Sequence, residues 1–160
     1  IYGNQAGRHG GATRFDNGVL ENCTMVGNKA QSQGGGVWFN ADQPLVRNSI
    51  VHFNDAAAGL NYYVNSRSTN FSYSCSSPIV EENGNRNGDP SLKSDGSGSG
   101  TNYVAGDFHL RYRSPCRNKG DNQDWMEGAR DLDGLPRINE NVVDMGVFEL
   151  HEYGVVIDIF

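Results

Sequence analysis

A repeat of about 25 residues restricts this chain more than any other feature, because a self-similar period in the twenties is the mark of a solenoid. The run Gly34-Gly35-Gly36-Val37-Trp38-Phe39-Asn40 continues through Leu45 to Asn48-Ser49-Ile50-Val51-His52-Phe53-Asn54. Upstream, Gly10-Gly11-Ala12-Thr13-Arg14-Phe15 leads through Leu20 to Asn22-Cys23-Thr24-Met25-Val26-Gly27-Asn28, with the same features in the same order. Gly11 to Gly36 and Leu20 to Leu45 are each 25 positions, and Asn28 to Asn54 is 26. Each repeat is a unit that buries its apolar face only against its neighbours. Apolar residues alternate with period two over short runs and no stretch sustains a helical period, so the repeats read as strands. The predicted fold is an all-β parallel β-helix.

Composition agrees with a thin core. Only 36% of the residues are hydrophobic and the mean hydropathy is −0.60, whereas glycine numbers 21. Such a chain fills a narrow apolar column, with most residues outside it or in turns. The net charge of −6 leaves no basic stripe to neutralise phosphates, which argues against nucleic acid and anionic membranes as partners. No stretch has the length of a transmembrane helix.

Alternation assigns faces. Val37, Phe39, Met25 and Val51 fall in the core column, and Trp38 points outward between Val37 and Phe39. In this register Arg14 stands opposite Phe39, against the pattern. Asn4, Asn28 and Asn54 recur once per coil. They read either as a row of polar groups for a sugar or ion, or as a structural Asn ladder in which each amide bonds the next coil, the reading that turn chemistry favours.

Residues 1–11 match the end of a coil, so the chain reads as starting in mid-coil. That predicts a longer parent chain or a second subunit over the open edge. After Gly59 the repeat loosens. The organisation expected is β-helix coils over 1–80, a protruding Gly/Ser/Asn-rich loop over 81–102, and a closing coil and cap of the same domain over 103–160. The apolar, β-prone tail at 150–160 reads as a closing strand, as the start of an anchor or further domain, or as a strand that pairs with a neighbouring subunit.

The last third is dense in motifs: Gly106-Asp107-Phe108-His109-Leu110, Ser114-Pro115-Cys116, Asp131-Leu132-Asp133-Gly134-Leu135-Pro136-Arg137 and Val143-Asp144-Met145-Gly146-Val147-Phe148-Glu149. With the Gly-Gly and Asn-Cys-Thr coils, they resemble the C-terminal part of bacterial extracellular right-handed parallel β-helix proteins, the choice-of-anchor and pectate-lyase-like group. Arg117-Asn118-Lys119 and Val147 depart from the pattern. The resemblance implies a right-handed β-helix made of C-terminal coils plus a loop-rich cap, and an extracellular or bacterial cell-surface location. It also implies a Cys75–Cys116 disulfide, with two buried thiols as the alternative; Cys23 reads as a core thiol.

Candidate chemistry is sparse. Trp38, Tyr62 and Trp125, with Tyr63, are the aromatic residues able to stack on sugars where exposed. Asp131, Asp133 and Asp144 offer oxygens for a calcium cofactor, or else cap turns and pair with Arg130 and Arg137. Arg47, His52 and Asp55 are the charged residues that a lyase or glycosidase would draw on, but no spacing clusters them, so no catalytic residue is assigned. The expected function is a non-catalytic surface protein that binds polysaccharide or builds a surface structure. Two alternatives stand beside it: a fragment of a polysaccharide lyase or glycoside hydrolase with its active site upstream, and a self-assembling subunit joined through its first coil and tail.

Overall fold

A computed structural model of the chain describes residues 1–40, 44–65 and 71–151. Thirteen short strands are seen among these residues. They are β1 (Gln5–Ala6), β2 (Thr13–Phe15), β3 (Val19–Glu21), β4 (Thr24–Val26), β5 (Lys29–Gln33), β6 (Val37–Phe39), β7 (Leu45–Arg47), β8 (Ile50–His52), β9 (Asp55–Ala58), β10 (Tyr62–Val64), β11 (Phe71–Ser72), β12 (Cys75–Ser76) and β13 (Arg86–Asn87). Every fourth strand joins the same sheet, giving β1-β5-β9, β2-β6-β10, β3-β7-β11 and β4-β8-β12, the last extended by β13. All of these pairings are parallel. The chain is therefore an all-β stack of parallel sheets, each taking one strand from each pass, an arrangement compatible with a solenoid. Beyond His151 the expected tail strand lies outside the described residues.

Register corrects the sequence alignment by one residue. Thr13 pairs Val37, a separation of 24, so Phe15 lies beside Phe39 and Arg14 beside Trp38. On the next sheet Val19 pairs Leu45, a separation of 26, and Leu20 pairs Val46. The apparent Arg14–Phe39 mismatch disappears: the aromatic rings stack inside and the guanidinium lies outside.

Local chemistry fixes the corners. Gly10, Gly34 and Gly59 all hold φ near +65° (65°, 66° and 61°), each immediately ahead of the turn into β2, β6 and β10. A side chain would be strained there, and a Cβ on the following Gly35 would meet Leu60 O at 2.3 Å. Ahead of β4 and β8 the left-handed residue is Asn22 or Asn48, each at φ 49°, the non-glycine type that tolerates this region best.

Two rows of side-chain hydrogen bonds run along the stack. Asn4 Nδ2 donates to Asn28 Oδ1 at 3.0 Å, and Asn28 Nδ2 to Asn54 Oδ1 at 2.9 Å. Asn54 then donates to Asn61 Oδ1 at 3.4 Å. A second row joins the Cys23 N–H to Ser49 Oγ, the Ser49 N–H to Ser74 Oγ, and the Ser74 N–H to Asn85 Oδ1. Each row satisfies corner N–H groups that the strand ladders do not reach.

Apolar packing occurs on both sides of one sheet. Met25, Val37, Phe39, Val46, Val51, Phe71 and Ile79 form the inner column, joined by Phe15, Leu20, Tyr62 and Val64. On the other side of β4-β8-β12, Val26, Ile50 and Cys75 pack against Leu92, Leu110, Cys116 and Met145 from the last third of the chain. That sheet is buried on both faces, which is why β4 reads as a continuous Thr-Met-Val run instead of alternating with polar residues.

The C-terminal segment therefore lies along this outer face. Asn48 exchanges two hydrogen bonds with the Asp121 backbone, Gly146 N donates to Asn48 O, and Val147 N donates to Thr24 Oγ1. Where the sequence reads a protruding loop at 81–102, the chain is tied to the coils: Leu92 is buried, Gly100 N donates to Gly27 O at 2.8 Å, and Ser99 reaches Asp55.

Candidate functional site

The glycine corner before β2, β6 and β10 has a groove on its outer side. One wall is built from Arg8 and His9 after β1, Ser32 and Gln33 of β5, and Ala57 and Ala58 of β9; the other carries Arg14, Trp38 and Asn65. Its volume is about 630 Å3. The outward row of the second sheet supplies Arg14 and Trp38 side by side, since the parallel register places the same face of successive strands in line. His9 bridges to Gln33 and so is held over the same corner.

Trp38 does leave the apolar column, but it does not present a free ring. Only 6% of its surface is accessible. The His9 ring stacks on it with centroids 4.8 Å apart and planes 13° from parallel, and the Arg14 guanidinium sits 4.9 Å from its centroid. A sugar has no uncovered indole face to stack on, so the expected platform is corrected: the neighbouring coil occupies it. The Trp38 Nε1–H is itself buried with no partner, as is His9 Nδ1. Among the described residues, the ion pair on this wall is the exposed contact of Arg14 Nε with Asp16 at 3.5 Å, a kind that binds weakly. Among the described residues, no carboxylate lines the groove.

The other aromatic candidates lie elsewhere. Tyr62 faces inward, its ring 4.8 Å from Phe71 and 6.5 Å from Phe39, which removes it from any sugar surface; burial pushes its hydroxyl pKa up. Trp125 is half exposed on a short 3-10 turn, Asp124–Met126, and its indole N–H donates to Glu21 Oε2 at 2.9 Å. It does not line the Trp38 groove.

Asp131, Asp133 and Asp144 do not converge on a point. Asp131 Oδ1 accepts the N–H groups of Asp133 and Leu135, and its Oδ2 accepts that of Glu149. Both Asp144 oxygens likewise take backbone donors, from Asn118 and Leu150. Calcium needs six to eight oxygens with free lone pairs aimed at one centre, and these carboxylates are turn caps. They do not fit that ion, and among the described residues no group of three or more acidic, His or Cys side chains is arranged to hold a metal.

Asp133 instead reaches His109 Nε2 at 2.7 Å, and Asp107 contacts His109 Nδ1. The ring also stacks on Phe148 at 4.0 Å. Burial draws the His109 pKa down, but the Asp133 and Asp107 carboxylates outweigh it and hold the imidazolium above its ordinary value. Deeper in the same cap, Arg137 Nη1 meets Glu149 Oε1 at 3.0 Å, and burial pushes the Glu149 carboxyl up to about 8.

Cys75 and Cys116 correct a second expectation. Their sulfurs are neighbours at 3.5 Å, and both remain free thiols in the outer core. The adjacent Cys75 thiol and burial push the Cys116 thiol up, which keeps it protonated and unreactive.

Arg47, His52 and Asp55 end or begin three different strands and share no cavity among those described. Arg47 is held by Glu21 at 2.5 Å and Asp55 by Lys29 at 2.6 Å, while burial draws the His52 pKa down. The Arg8–His9–Arg14–Trp38 grouping was hidden in the sequence because Arg8 and His9 lie outside the strands. The usable signal was Arg14 itself, a charge that fits the outward face only in the corrected register. No protein-family model matches the chain, and no curated protein or solved structure shows significant similarity to it.

Proposed function

We propose that this chain is the C-terminal part of a right-handed parallel β-helix of the bacterial extracellular or cell-surface kind that its motifs resemble, and that it binds polysaccharide on its flank without catalysis. The observation that carries the reading is an open groove of about 630 Å3 that runs across three coils and is lined mainly by polar side chains. Ser32, Gln33 and Asn65 add neutral hydrogen-bonding groups of the kind that grip sugar hydroxyls.

A blocking variant tests the site. Ala57 is exposed on β9 and lines the groove, so Ala57→Tyr fills it with a side chain that strands accept. Titration against a panel of neutral and acidic polysaccharides should give binding by the natural chain and none by Ala57→Tyr. Binding that survives the block, or no binding to any member of the panel, overturns the proposal; release of sugar products overturns its non-catalytic part.

A further inference from the structure

The short link between β2 and β3 carries chemistry of its own, independent of the groove. We infer that Asn17 is a site of self-modification: the Gly18 backbone nitrogen closes on the Asn17 side-chain amide, expels ammonia, and leaves aspartate or isoaspartate at this corner.

Asn-Gly occurs at Asn17-Gly18, Asn83-Gly84 and Asn87-Gly88. A glycine nitrogen has no neighbouring side chain to shield it, so by sequence the three pairs are equally open to ring closure. The fold separates them. At the first pair the nitrogen already lies against its target, since the Gly18 N–H donates to Asn17 Oδ1 at 2.8 Å. That oxygen is bonded to Cγ, the carbon that the nitrogen must reach, so the contact holds the reacting groups together as a near-attack conformer does. Asp16, Asn17 and Gly18 are all exposed, and a Cβ built on Gly18 finds its nearest neighbour in Phe15 Cε2 at 3.8 Å. Water and base reach the site, and a ring has room to form.

Neither of the other pairs is arranged in this way. The Gly88 N–H donates to Ser76 O at 3.1 Å while Asn87 Oδ1 accepts the Ile79 N–H at 3.3 Å, so nitrogen and target are engaged with different partners. The Asn83 carbonyl accepts the Tyr73 N–H at 2.8 Å, and Gly84 is packed against the Tyr73 ring, where a Cβ would meet Cδ1 at 2.5 Å. Ring closure there has to displace the aromatic side chain.

The reaction needs only the chain and water. The Gly18 nitrogen gives its proton to solvent base and bonds to Asn17 Cγ; the Cγ–Nδ2 bond breaks, and Nδ2 takes up a proton and leaves as ammonia. Water then opens the cyclic imide. Opening at Cγ gives aspartate on the original backbone, and opening at the Asn17 main-chain carbonyl gives isoaspartate, with the backbone routed through Cγ. Nothing is oxidised or reduced. Either product sets a second carboxylate beside Asp16, the residue that Arg14 Nε contacts at 3.5 Å. Isoaspartate also lengthens the link whose Gly18 carbonyl accepts the Leu45 N–H at 2.9 Å, so the β3 to β7 pairing loosens first at Val19 and Leu45.

The natural chain is incubated in oxygen-18 water in a mildly alkaline buffer, with and without urea, and digested at intervals in ordinary water, so that label marks only imides opened during the incubation. Electron-transfer fragmentation of the peptides locates each label and separates aspartate from isoaspartate. In the folded chain Asn17 should take up label about tenfold or more faster than Asn83 or Asn87, a small part of what holding two reacting groups together can supply. In urea the Gly18 contact is lost, and the three rates should fall within about threefold of one another. Asn17→Gln, whose longer side chain closes only a larger and slower ring, should leave position 17 unlabelled. Labelling of Asn17 no faster than that of Asn83 and Asn87 in the folded chain overturns the inference. A lead for Asn17 that persists undiminished in urea assigns the rate to sequence instead of the fold and overturns it as well, as does label at position 17 in Asn17→Gln.

Discussion

Asn54 is the rung of the amide ladder on which most depends, and replacing it by alanine measures what the ladder contributes. Its Oδ1 accepts the Asn28 backbone N–H at 3.0 Å and Asn28 Nδ2 at 2.9 Å, while its Nδ2 donates to the carbonyls of Met25 and His52, both at 2.9 Å. Asn28 is fully buried, so in Asn54→Ala its N–H has neither a side chain nor water to turn to. An orphaned buried donor costs about 1–3 kcal/mol, and the lost amide–amide bond adds roughly 1 kcal/mol. The expected loss is therefore about 3 kcal/mol, a large part of the 5–15 kcal/mol typical of a folded domain. Asn4 makes the same side-chain bond to Asn28 from an exposed position, where water replaces it, so Asn4→Ala should cost under about 1 kcal/mol. With a urea slope of about 2 kcal/mol/M, the midpoints should fall by about 1.5 M and by less than about 0.5 M. Urea unfolding followed by circular dichroism and tryptophan fluorescence reads both. Equal midpoints for the two variants would refute the reasoning, because the contrast rests on the buried Asn28 N–H that only Asn54→Ala orphans.

Three further outcomes are expected. Phe39→Ala empties the centre of the aromatic stack between Phe15, Tyr62 and Phe71 and should cost about 3–5 kcal/mol, whereas Val80→Ala, at an exposed site, should stay within about 0.5 kcal/mol in the same urea assay. The raised pKa of His109 gives stability that is fully present below its unfolded value near 6.5 and is lost as pH rises through the folded value. His109→Gln should thus destabilise more at about pH 5.5 than at about pH 9; solvent screening keeps the difference to about 1 kcal/mol or less, and a larger cost at the higher pH would contradict the Asp107–His109–Asp133 clasp. Finally, the three cysteines should all titrate with a thiol reagent in denaturant without reductant, and Cys75 and Cys116 should be silent in the native protein, being fully buried; a single titratable thiol in denaturant would mean that the pair is bonded.

How much of this was legible in the sequence depends on whether a feature repeats. The spacing of Asn28 to Asn54 matched the stacking of coils because these residues occupy corners, where chemistry allows few substitutes. Alternation around Val37 and Phe39 located the inner column for the same reason. The register slipped at the glycines: Gly11 was laid on Gly36, but the left-handed corner is Gly10 and Gly34, so the third glycine of the triplet stands where Ala12 does. Nothing in the letters distinguishes a glycine needed for its φ from one needed for close approach. The outer core was invisible for a different reason. Leu92, Leu110, Cys116 and Met145 come from irregular segments with no period, and only the packed sheet brings them together. The Asp-x-Asp-Gly motif suggested metal because carboxylates are acceptors for cations and for N–H groups alike; here the backbone supplied the donors. Trp38 turns away from the column, but alternation within one strand says nothing of the preceding coil, whose His9 and Arg14 cover it.

The two tryptophans allow the central claim to be read from two signals. The Trp38 ring lines the groove, whereas Trp125 lies outside it with its indole N–H donated to Glu21. In a nitrogen-15 correlation spectrum each gives one indole resonance. Titration with an oligosaccharide from the panel that binds should shift the Trp38 resonance, because its ring lines the groove, and leave that of Trp125 in place. A Trp38 resonance that stays fixed at saturating ligand, or two resonances that move together, would contradict the groove as the binding site.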